Sequence, residues 1–140
     1  MLIADIMTPT IVTARPEDTV RRALLLLEDQ DIRHLPVIDD ERRLVGLVSA
    51  RDLREYRLPV MEEIEHPEQA DDLLDTPLSE IMNSEVVSVD SSEDVVAAID
   101  LMIEYRIGAA PVLDRTTGEL VGILSYVDVL RLARDVLAGG

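Results

Sequence analysis

The chain has 140 residues, 47% of them hydrophobic, and no cysteine, so a buried core is available while disulfide frameworks, thiolate metal sites and cysteine nucleophiles are excluded. Its 29 acidic residues face 13 basic ones, all arginine, for a formal net charge of −16. That field repels phosphate backbones, and no basic stripe with interleaved aromatics offsets it, so a nucleic-acid role is not expected.

The N-terminus, MLIADIM, lacks a basic n-region, and the longest apolar run of the first helix candidate, Ala23 to Leu27, is too short to cross a bilayer. A soluble, cytoplasmic protein is expected. After Ile6-Met7, the β-branched run Ile11-Val12-Thr13-Ala14 reads as a strand. Pro16-Glu17-Asp18-Thr19 then opens an amphipathic helix with Val20, Ala23, Leu24 and Leu27 at helical spacing. Leu35 to Ile38 and Leu44 to Val48 read as the two strands of a hairpin, and a helix follows Ser49. Arg57 to Thr76 carries Pro59, Pro67 and a run of acids, and reads as a linker with a helical turn or two around Val60 to Ile64.

The same order then recurs. Ile81-Met82 follows Ile6-Met7 at a spacing of 75, and Pro111-Val112 follows Pro36-Val37 at the same spacing; Leu120-Val121-Gly122 follows Leu44-Val45-Gly46 at 76. The added residue falls in the turn, where DDERRL becomes DRTTGEL. Val86-Val87-Ser88-Val89 repeats the first strand, Ser91-Ser92-Glu93-Asp94 opens a helix with Val95, Ala98, Ile99 and Met102, and the last helix follows Ser125. The reading is an α+β fold of two tandem β-α-β-β-α repeats, residues 1–58 and 77–140, joined by an acidic linker at 59–76. Each copy buries little alone, so the two are expected to pack about a pseudo-two-fold axis.

Both copies end their hairpin in Gly, two aliphatics, Ser, two variable residues, Asp and an aliphatic: GLVSARDL and GILSYVDV. Ser49 and Ser125 stand where a strand gives way to a helix, with Asp52 and Asp128 three residues on. Two accounts fit that spacing. The first-turn N–H groups, left without partners, can receive an anion while the carboxylate accepts hydroxyls. Alternatively, Ser-x-x-Asp is a capping box that needs no ligand.

The duplicated segments, Asp5-Ile6-Met7-Thr8, TIVTARPEDTV, IRHLPVID and LVGLVSARDL in the first copy, SEIM, EVVSVDSSEDVV, IGAAPVLD and LVGILSYVDVL in the second, resemble the tandem cystathionine-β-synthase-type (CBS) domain pair, or Bateman module. The resemblance covers the chain apart from the linker. It implies two inter-repeat clefts, a homodimeric disk, and an adenosine ligand such as AMP, ADP, ATP or S-adenosylmethionine, with or without magnesium, rather than a tightly bound cofactor. On this basis the nucleotide-binding residues are Ser49, Asp52, Ser125 and Asp128. Arg33 and His34 join them to neutralise phosphate, and the aliphatics Ile11, Val12, Val86, Val87, Val37 and Val112 stand against the base, which has no Phe or Trp to stack on. Gly46 and Gly122 are read as leaving room for that flat base. Gly108 and Ala109 replace Arg33 and His34 in the second copy, so the clefts should differ in charge.

No catalytic site is expected: His34 and His66 have no repeated partner, and neither a nucleophile elbow nor a phosphate-loop signature occurs. No metal site is expected either, since His66 beside Glu62, Glu63 and Glu65 reads as a solvated linker residue. The chain ends soon after its last helix, so regulation is expected to act in trans on an effector protein. The alternative is a ligand-free interaction and dimerisation module.

Overall fold

The computed structural model describes residues 1–9 and 12–139. Its elements in chain order are α1 (Ile3–Ile6), β1 (Thr8–Pro9), α2 (Val20–Asp29), β2 (His34–Ile38), β3 (Leu44–Ser49), α3 (Ala50–Leu53), α4 (Val60–Glu65), α5 (Pro67–Leu74), β4 (Val89–Asp90), α6 (Val95–Tyr105), β5 (Ala109–Leu113), β6 (Leu120–Ser125) and α7 (Tyr126–Leu137). Short 3₁₀ turns lie at Arg54–Tyr56 and Leu78–Glu80. The two amphipathic helices, both hairpins and both helices after the serines stand where the periodicity places them.

The chain forms two compact units, and neither is continuous in sequence. One comprises Met1–Ile11, Glu41–Arg43 and Val86–Gly140; the other comprises Val12–Asp40 and Leu44–Glu85. The opening segment of each copy therefore closes the unit built from the other copy.

In the unit containing the second hairpin, the sheet order is β1-β6-β5-β4, with β4 parallel to β5 and the other pairs antiparallel. The N-terminal segment joins this unit through Ile3 N–H to the Glu93 carbonyl (2.9 Å), Ala4 N–H to the Ser91 carbonyl (3.0 Å) and Val95 N–H to the Met1 carbonyl (3.0 Å). Ile3 is fully buried among Val89, Val95, Ala98, Met102, Ala110, Val112 and Leu124.

The unit containing the first hairpin repeats these bonds 75 residues on. Leu78 N–H donates to the Asp18 carbonyl (2.7 Å), Ser79 N–H to Pro16 (2.9 Å) and Val20 N–H to Thr76 (3.0 Å). Leu78, in the place of Ile3, is fully buried with Val20, Ala23, Leu35, Val37, Val48 and Leu53. Burial of each such anchor contributes about 1.5–3 kcal/mol.

Two expectations are corrected. Among the described residues, the β-branched runs are not full strands: Ala14 makes a single parallel bridge to Val37, and only Val89 and Asp90 pair with Val112 and Leu113. Pro36 and Pro111 have no N–H to donate, so the parallel ladder does not extend along them. The acidic segment, in turn, is more than a solvated linker. Proline at the first position of α5 suits helix entry, Ala70 is buried, and Leu74 packs on the core of its unit.

Candidate functional site

Each hairpin brings the candidate polar residues to one end of its sheet. In the first, His34 and Ser49 are register partners across β2 and β3, and the Ala50 N–H donates to the Arg33 carbonyl at 2.9 Å. Arg33, His34, Ser49 and Asp52 therefore share one end of one hairpin. His34 is half-buried, Arg33 and Asp52 are exposed. Burial lowers the His34 imidazole below its ordinary pKa, Arg33 lowers it further, and Asp52 opposes both. In the second hairpin Ala109 pairs with Ser125, and Tyr126 N–H donates to the Gly108 carbonyl at 2.8 Å.

Both Ser-x-x-Asp segments are complete capping boxes. Ser49 N–H donates to Asp52 Oδ2 and Asp52 N–H to Ser49 Oγ, both at 3.1 Å. Ser125 N–H donates to Asp128 Oδ2 at 2.9 Å, Asp128 N–H to Ser125 Oγ at 3.4 Å, and the Ser125 hydroxyl lies 3.1 Å from Asp128 Oδ2. This corrects the expectation of free first-turn donors, because at each terminus the first and third helical N–H groups already have acceptors.

The two carboxylates have different surroundings. Asp128 is 6% exposed and accepts a further hydrogen bond at Oδ1 from the Thr8 hydroxyl (3.0 Å), with the Arg131 guanidinium 4.0 Å away. Thr8 arrives because β1 pairs with β6, Thr8 opposite Ile123 and Pro9 opposite Gly122. Sequence reasoning did not identify Thr8; its position directly after the repeated Ile-Met pair was the available signal. The residue corresponding to Thr8 in the second copy is Asn83, bridged to Leu47, with its side-chain Oδ1 accepting from Glu85 N–H at 3.1 Å. An open recess of about 390 Å³ adjoins Asp128, lined in part by Met7, Thr8, Pro9 and Arg131.

The remaining candidates divide by burial. Val12, Val86 and Val87 are half-buried, whereas Ile11 lies outside the described residues. Val37 and Val112 are fully buried in the two cores. Gly46 and Gly122 are also buried, and what stands over them is methionine rather than space for a base: Met82 over Gly46 and Met7 over Gly122. Among the described residues, no helix is long and apolar enough to cross a membrane, and no group of His, Asp and Glu side chains has the arrangement of a metal site.

This architecture is that of a duplicated α+β module in which each hairpin ends in a serine-aspartate pair. The sequence profile of the CBS domain matches residues 3–62 and 78–135, and the chain belongs to the CBS domain family as a tandem pair. It is 32% identical over 142 residues to a CBS domain-containing protein of Dictyostelium discoideum, covering 98% of this chain and 94% of that protein. It is 27% identical to the inosine-5'-monophosphate dehydrogenase of Methanocaldococcus jannaschii over 91% of this chain, but spans only 22% of that enzyme. The crystal structure of CBSX2 in complex with AMP superposes with a TM-score of 0.78 at 30% identity, over 96% of this chain and 97% of that one. The CBS domain pair of protein MJ0100 in complex with 5'-methylthioadenosine and S-adenosyl-L-methionine gives 0.77 at 25% identity, over 96% and 97%.

Proposed function

We propose that this chain is a regulatory CBS pair that binds an adenosine-containing ligand, of the AMP, ADP, ATP or S-adenosylmethionine class, and transmits its occupancy in trans to an effector protein. The observation that carries this reading is the convergence of Arg33, His34, Ser49 and Asp52 on one hairpin end. Asp52 Oδ2 is held by the Ser49 N–H, while Oδ1 has no hydrogen-bond donor among the described residues and is exposed to accept ribose hydroxyls. The Arg33 guanidinium supplies a planar, bidentate partner for phosphate in an otherwise acidic molecule. CBSX2 with AMP, similar over nearly the whole chain, supports the same ligand class. In this reading the chain has no catalytic role, and ligand binding shifts its conformational populations.

The same reading includes a homodimer. Val96, Ile103 and Tyr105 of α6 and Leu130, Val136 and Leu137 of α7 are largely exposed, an apolar surface that a second copy would cover. Light scattering coupled to size exclusion tests it directly.

A second reading has its own support. Both Ser-x-x-Asp pairs are complete capping boxes, which account for those residues in a ligand-free interaction module. A thermal-shift panel on nucleotide-stripped protein separates the two, using AMP, ADP, ATP, S-adenosylmethionine and cyclic di-AMP, each with and without magnesium. A ligand at about a hundred times its Kd stabilises by roughly 2.7 kcal/mol, a rise of several degrees. A shift removed by Asp52→Ala supports the sensor; no shift with any compound supports the interaction module.

A further inference from the structure

Asp52 and Asp128 hold matching positions in the duplicated sequence, yet among the described residues only Asp128 has a protein donor on both carboxylate oxygens. At Asp128, Oδ2 accepts from Ser125 and Oδ1 from the Thr8 hydroxyl, with Arg131 at 4.0 Å. The counterpart of Thr8 in the second copy is Asn83, whose side-chain Oδ1 accepts from Glu85 N–H, and Asp52 Oδ1 receives no donor from the described residues. A buried carboxylate requires donors, and Thr8 supplies one to an oxygen that a ligand hydroxyl would use.

We propose that the Thr8 hydroxyl is a built-in partner of Asp128 that competes with a ligand hydroxyl for Oδ1. Ligands that hydrogen-bond to these carboxylates then bind the Asp52 position tightly and the Asp128 position weakly. The inference rests on the adenosine-ligand reading given above. At Asp128 a ligand hydroxyl gains Oδ1 at the expense of the Thr8 hydrogen bond inside the protein, whereas at exposed Asp52 it replaces only water, so the net gain is larger at Asp52. Displacing Thr8 also releases the contact by which a β1 side chain holds α7, so weak occupancy at Asp128 would loosen the N-terminal segment from its unit.

The test is calorimetric titration of adenosine, a neutral diol, into the full chain and its variants. Wild type should bind one adenosine with high affinity, and Asp52→Asn should leave only weak binding. In that background Thr8→Val should tighten adenosine binding about tenfold, Thr8→Ser should not, and adding Asp128→Asn should cancel the gain. Thr8→Ala is the second donor-less variant should the valine fold poorly. Two equal sites in wild type, or Thr8→Val that leaves binding unchanged or weaker in the Asp52→Asn chain, overturns the role of Thr8. If wild type binds adenosine at Asp52 while Thr8 variants are silent, the sensor reading survives alone. If neither adenosine nor AMP binds any variant, both fall together.

Discussion

A Cβ placed on Gly46 would stand 2.5 Å from Sδ of Met82 and 2.8 Å from its Cγ. The repeated Ile-Met pair and the repeated glycine are thus two halves of one contact, made in each unit between segments from different copies. At Gly122 the added atom would meet Met7 Sδ at 2.8 Å and also the Thr8 carbonyl oxygen at 2.8 Å. Overpacking of this kind costs about 1–3 kcal/mol. Gly46→Ala should be partly rescued by Met82→Ala, because the obstructing atoms are all side chain. Gly122→Ala should resist rescue by Met7→Ala, because a backbone oxygen remains in the way. Urea melts of the double-mutant cycles decide it, and equal rescue at both sites would contradict the geometry.

The capping boxes should respond unequally to truncation. Asp128 is buried and engaged by Thr8 and Ser125, so Asp128→Ala leaves several donors unsatisfied and should cost about 2–3 kcal/mol. Asp52 is exposed and only caps α3, so Asp52→Ala should cost about 1 kcal/mol or less. Chemical denaturation of the ligand-free variants measures the difference directly, and equal losses would show that the two carboxylates are equivalent.

His34 makes stability depend on pH. Its folded pKa lies below the unfolded value, so as pH falls through about 6.5 the unfolded chain takes up protons first and the folded state loses stability. His34→Gln should flatten that slope between about pH 7 and 5 in thermal melts. A phosphate ligand beside His34 favours the imidazolium, so AMP should bind more tightly at pH 6 than at pH 8, with proton uptake visible in buffers of different ionisation enthalpy. Adenosine should show far less pH dependence.

The net charge of −16 sets a further expectation. Unscreened repulsion opposes a polyphosphate more than a neutral nucleoside, so ATP should weaken relative to adenosine as salt is lowered. An ATP affinity that rises steadily toward low salt would mean that Arg33 and its neighbours dominate the field instead.

Much of this arrangement was legible because it is local. The spacing of Val20, Ala23 and Leu27 and of Val95, Ala98 and Met102 marks α2 and α6, and Thr19 and Asp94 cap them. The duplicated hairpins and the two Ser-x-x-Asp boxes involve residues a few positions apart, so spacing alone locates them. The helical character of residues 60–74 was less legible, since an acidic, proline-bounded stretch resembles a linker until the burial of Ala70 supplies its reason.

The residues by themselves determined the two α+β repeats, their hairpins and the end of each sheet at which serine and aspartate gather. Tertiary structure alone decided which opening segment closes which unit, that methionine fills the space over each glycine, and that Thr8 reaches Asp128 while its counterpart Asn83 accepts from Glu85 instead. The reason is physical: helix periodicity and capping are satisfied within a turn of chain, whereas these contacts join residues scores of positions apart. Their identity depends on which of two nearly equivalent partners the fold brings together.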